Sequence, residues 1–174
     1  MKYFVKFFVV TFFLFVCTYS FAEQKIVVLD LKYVLNKSKA GKGAQDFLKK
    51  SFEDKQKKFM ELEKKLKKEE SDLLAKKTVL SKEEYTKKRN TLRKKVIDYQ
   101  SDRRSSLDKI TTQRAEARET LLKNIDPILQ TYIKENNISL VVDKKNMLGG
   151  NPDIDITNII VEKLNKELPS LNLK

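Results

Sequence analysis

Few side chains in this sequence could carry covalent or metal chemistry. It has no His and a single Cys, Cys17. Zinc, haem and iron–sulfur sites therefore lack their usual ligands, and Ser/His/Asp or Cys/His nucleophilic chemistry lacks its base. Two adjacent carboxylate pairs stand out, Glu69-Glu70 and Glu83-Glu84. General acid–base work needs surroundings that drive two pKa values apart, and neither pair lies in an apolar run, so both read as helix-surface acids. Asp153 and Asp155 alternate as calcium ligands can, but the further ligands and closing Glu of an EF-type loop are missing, which leaves a turn and helix cap. Tyr85 and Tyr99 read as seam residues. No catalytic residue, metal site or cofactor is expected, and the protein is read as a non-enzyme.

Positive charge is abundant instead. Among 174 residues, 37 Lys+Arg face 24 Asp+Glu, a net of +13. The N-terminus has to be set aside first. Lys2 and Lys6 precede an apolar run from Phe7 to Val16 broken only by Thr11, and Ser20 and Ala22 supply small residues before a cut. This reads as a secretory signal over residues 1–22, cleaved after Ala22. The run is short of the ~20 residues that a membrane span needs. The remaining 152 residues carry +11, no Cys, and only Phe47, Phe52, Phe59 and four Tyr as aromatics, a small supply for a globular core. All of the excess lies in residues 37–95, where 21 basic residues face 10 acidic ones, while residues 96–174 hold 12 of each. The clusters Lys57-Lys58, Lys64-Lys65, Lys87-Lys88-Arg89 and Arg93 are the candidate surface for gathering acidic partners. Nucleic acid would meet the same electrostatics, but no helix-turn-helix, finger or aromatic stacking platform is present.

The elements that must carry this charge are long helices, because only 4 Gly and 3 Pro punctuate the chain. Phe52, Phe59, Leu66, Leu73 and Leu80 recur every seven residues, with Leu62 between, as a thin heptad stripe. Ser81-Lys82-Glu83-Glu84 fits a capping box, so a second helix starts at Lys82. Its seam runs through Tyr85, Leu92, Val96, Tyr99, Ile110, Ala117 and Leu121. Residues 44–77 and 82–123 are expected to form an antiparallel hairpin, an arm over 44–123 with its tip near 78–81. Asp126-Pro127 reads as a kink or a restart. β-branched runs predict strands near 25–30 and 138–143, with a third near 146–148, and a last helix over 157–168 capped by Thr157. Two strands are too few for a sheet on their own, so residues 23–43 and 124–174 are expected to build one body, with another chain as a further source of strands. The fold class is α+β, a long helical hairpin projecting from a small β-containing body.

In order and spacing, these features resemble the Skp/OmpH family of periplasmic chaperones. The likeness lies in the signal segment, Lys25-Ile26-Val27-Val28-Leu29-Asp30 followed by Tyr33-Val34-Leu35, Leu80-Ser81-Lys82-Glu83-Glu84-Tyr85 at a hairpin tip, Leu140-Val141-Val142-Asp143, and Asp155-Ile156-Thr157 leading into Val161-Glu162-Lys163-Leu164-Asn165. The resemblance implies a homotrimer with three arms around a cavity. It also implies an ATP-independent periplasmic holdase that keeps unfolded outer-membrane β-barrel proteins from aggregating. On that reading Lys57, Lys58, Lys64, Lys65, Lys87, Lys88, Arg89 and Arg93 are client-binding arm residues. Contact of Lys87, Lys88, Arg89 and Arg93 with anionic lipid or lipopolysaccharide is a lesser option, since no motif singles it out. The competing reading is a secreted coiled-coil spacer without clients.

Overall fold

The computed structural model describes residues 24–173. The signal segment expected over 1–22 lies outside them. Lys25–Leu29 forms strand β1, whose Val27, Val28 and Leu29 are buried. Asp30 does not extend the strand. Its carboxylate accepts the Tyr33 N–H at 2.8 Å and caps the short helix α1, Leu31–Lys37. Ser38, fully buried, then accepts the Gly41 N–H and starts helix α2, Lys39–Ala75, so the outgoing limb begins five residues before the expected 44. Gly41 is no breaker here. A Cβ on it would lie 1.9 Å from the Leu35 carbonyl oxygen, so glycine lets α1 and α2 meet at a tight corner.

After a turn over 76–80, helix α3 runs as one element from Lys82 to Glu135. It passes the expected end at 123, and Pro127 lies inside it, so residues 126–127 are not a restart. Proline removes one N–H from the ladder, but Leu121, Ile125 and Ile128 on one face of this stretch are buried in the core and hold the helix together. Asn136 ends α3, and Asn137, at φ 51°, turns the chain into β2, Ile138–Asp143.

β1 and β2 pair in parallel, Ile26 opposite Leu140 through Leu29 opposite Asp143, with an irregularity between Lys25 and Ile26. No third strand forms at 146–148. Lys144–Asn146 is a 3-10 turn, and the further bond to β1 comes from a later point, where Ile156 N–H donates to the Val28 carbonyl at 2.9 Å beside a Val28–Asp155 bridge. Helix α4 spans Thr157–Glu167. Thr157 is not its cap, which is Ile156 with no side-chain bond; the Thr157 hydroxyl instead accepts the Asp30 N–H at 2.8 Å, tying α4 to the end of β1. Burial pushes the Asp155 carboxyl up, but hydrogen bonds from Lys144 and from Thr157 outweigh it and hold the group below its ordinary value.

One core results where the chain's two ends meet the returning helix. Val27, Leu29, Val34, Leu121, Ile125, Ile128, Ile156, Ile160 and Leu164 are buried in it. Ile160 and Leu164 have no exposure, whereas Ile159 next door is 40% exposed. Leu164→Ala should therefore lower unfolding free energy by about 2–5 kcal/mol in urea titrations, and Ile159→Ala by under ~1 kcal/mol.

Candidate functional site

The hairpin is the part of the molecule with charge to spend on a partner. It starts from a local device. Ser81 accepts the Glu84 N–H at 3.2 Å, and the Glu84 carboxylate accepts the Ser81 N–H at 3.2 Å, which completes the capping box expected at the tip. That fixes where α3 begins, and so the register at which it returns along α2.

The contact between the limbs is narrow. Of the heptad stripe, Leu66 on α2 is buried, Phe59 and Leu73 on α2 and Leu80 in the turn are half-buried, and Phe52 is 42% exposed. On α3, Ile110, Ala117 and Leu121 are buried, while Tyr85, Leu92, Val96 and Tyr99 are half-buried. On α3 burial thus decreases away from the core, whereas on the α2 stripe it is greatest at Leu66, midway along the limb. Phe59 meets Tyr99 edge-on, ring centroids 5.9 Å apart. The Tyr99 hydroxyl donates to Glu63 at 3.3 Å, and Lys95 donates to Glu69 across the limbs at 2.7 Å. Lys67, hydrogen-bonded to Glu63 at 2.8 Å, holds that carboxyl below its ordinary value of 4.5 and is itself raised. The contribution of Glu63 to folding is then present above that ordinary value and fades as pH falls through the lowered one.

Lys57, Lys58, Lys64, Lys65, Lys87, Lys88, Arg89 and Arg93 are all exposed. They spread over both limbs rather than converging on a point. Of the paired acids set aside as catalytic candidates, Glu84 closes the cap and Glu69 pairs with Lys95, while Glu70 and Glu83 are exposed on the helix surface. Asp155 pairs with Lys144 at 2.6 Å. Among the described residues no group of His, Cys, Asp or Glu could hold a metal ion, and no helix is long and apolar enough to cross a membrane.

Two open grooves follow the hairpin outward from the core. The first, about 890 Å³, lies where α1, the early turns of α2 and residues 114–121 of α3 meet, over Leu35, Ala44, Leu48 and Leu121. The second, about 220 Å³, lies between the limbs against Phe59, Met60 and Leu107. Phe52 lines both, and none of the eight basic candidates lines either. The seam pattern did not mark Met60 or Leu107. Their signal is that each is apolar yet off the stripe, and they are 51% and 45% exposed.

Residues 25–164 match the family model described as outer membrane protein (OmpH-like). Among solved structures, a candidate OmpH-like outer membrane chaperone from Caulobacter crescentus CB15 is similar, with a TM-score of 0.80 at 19% identity, covering 88% of this chain and 90% of that one. A search of curated proteins finds no match.

If the capping box anchors the tip, Ser81→Ala should weaken the first turn of α3 by about 1 kcal/mol. Hydrogen exchange checks this: amides of 82–86 should exchange several-fold faster, and those around Ile125 should be unchanged.

Proposed function

We propose, on the premise that this chain belongs to the OmpH-like outer membrane protein family, that it acts as a chaperone. More finely, we read it as an ATP-independent periplasmic holdase that keeps unfolded outer-membrane β-barrel proteins apart on their way to the membrane. The observation that carries this reading is the hairpin itself. It is long, it is held by a narrow seam, and it bears nearly all of the charge excess of residues 23–174 on exposed side chains. Such a surface offers many weak, long-range contacts and no tight pocket, which suits a client without a fixed shape. The similar chaperone structure from Caulobacter supports the same reading through its fold.

Capture begins with attraction of acidic segments to lysines and arginines such as Lys64, Lys65, Lys87, Lys88 and Arg93. It continues as multiple contacts along both limbs, each weak enough to break. Release needs no nucleotide; a better site for the client at the membrane draws it away. Anionic lipid or lipopolysaccharide would meet the same cations, as a secondary partner. A homotrimer is the assembly we assign. Ile26 and Leu140, directly opposed across the strands, are 44% and 53% exposed, an apolar pair on a two-stranded sheet too small to stand alone. A clientless spacer would want a continuous heptad seam, whereas Lys55 and Lys76 interrupt this one.

Light scattering of a urea-denatured outer-membrane protein diluted into buffer tests the function. The chain in stoichiometric excess should suppress aggregation, and no suppression would refute the reading. Raising salt from ~50 to ~500 mM should weaken capture several-fold. Sedimentation equilibrium should give a trimer that hardly responds to the same salt change, because the strand-bearing ends are near neutral; a stable dimer would contradict the assembly.

A further inference from the structure

The grooves that meet at Phe52 lie closer to the core than most of the basic clusters, and they differ from them in chemistry. Their floor is apolar: Leu35, Leu48 and Leu121 in the larger, Phe59, Met60 and Leu107 in the smaller. Their rim is cationic. Lys32, Lys49, Arg114, Arg118 and Lys145 border the larger groove against two acids, Asp46 and Asp143. Asp143 is already engaged by Lys145, at 3.2 Å through the ammonium and 3.1 Å through the backbone N–H. Arg114 and Arg118 are exposed on α3 and stand one helical turn apart, about 6 Å along the axis.

An occupant must therefore offer apolar side chains on one side and negative charge on the other. An extended peptide does this when the two kinds alternate. Alternate residues of a strand lie about 6.6 Å apart, close to the spacing of the two arginines, and strands of membrane β-barrels alternate apolar with polar residues. A second copy of this chain is a poorer complement, because the exposed surface of its hairpin is itself strongly basic. Resting on the holdase reading above, we infer that the groove from α1 past Phe52 to Met60 and Leu107 seats an extended client segment in which apolar and acidic side chains alternate. The work divides accordingly. Distal lysines set how fast a client is caught, and the groove sets how long one segment stays.

Photo-crosslinking and dissociation kinetics test this on the full chain with a urea-denatured outer-membrane β-barrel protein as probe. Phe52→p-benzoylphenylalanine, which keeps an aromatic ring at an already exposed site, should crosslink to the client at least threefold more than Val79→p-benzoylphenylalanine at the tip. Phe52→Asp and Arg118→Glu, each checked for helix content by circular dichroism, should shorten client residence about fivefold or more and leave the capture rate within twofold. Lys87→Glu with Lys88→Glu should do the reverse. Crosslinks from position 52 to a second copy of the chain in the presence of client, or equal yields from 52 and 79, would overturn the inference. So would unchanged residence in Phe52→Asp and Arg118→Glu while the unsubstituted chain still suppresses aggregation, and that result would leave the holdase reading intact. Failure of the unsubstituted chain to suppress aggregation would remove both.

Discussion

Parallel pairing of β1 with β2 is the constraint from which the rest of the molecule follows. Two parallel strands need a crossover that returns to the starting edge. A hairpin with equal limbs brings the chain back only to where it left, at the corner between α1 and α2 beyond the end of β1. The return limb must overshoot by at least the length of the strand. α3 is 17 residues longer than α2, about 25 Å of extra helix against the ~17 Å length of a five-residue strand. That overshoot is the stretch whose Leu121, Ile125 and Ile128 lie in the core. It is also why the helix persists through Pro127, since breaking it there would strand β2 short of its partner.

Patterns confined to neighbouring residues could be read from the sequence. The β-branched runs at 26–28 and 138–142, the seven-residue stripe and the Ser81–Glu84 box each state their structure within a few positions. What could not be read depends on groups distant in sequence. Gly41 looks like a breaker until the Leu35 carbonyl is seen against it. Thr157 looks like a cap until its hydroxyl is found on the Asp30 N–H, 127 residues away. The expected strand near 146–148 gave way to a bond from Ile156 to Val28 for the same reason. The basic clusters were evident as charge, but the grooves were not, because their walls come from α1, α2 and α3 together.

Fold and charge are largely separated in this chain. The buried core draws on the strand-bearing ends and on the near-neutral second half of α3. Most of the basic excess lies on the hairpin beyond this core, so electrostatic repulsion acts largely outside the part that holds the fold together. Surface pairs such as Lys95–Glu69 offset some of that repulsion without adding much stability.

The hairpin also limits how the molecule can change in length over evolution. Phe59 against Tyr99 and Glu69 against Lys95 fix each level of one limb to a level of the other. Losing or gaining residues in a single limb would shear every contact beyond that point. An insertion centred on the turn at 76–80 lengthens both limbs at once and leaves all inner levels in register. Fourteen residues, about one heptad per limb, would extend the arm by roughly 10 Å without disturbing the core. Heritable variation in reach is thus channelled to the tip and arrives in paired steps.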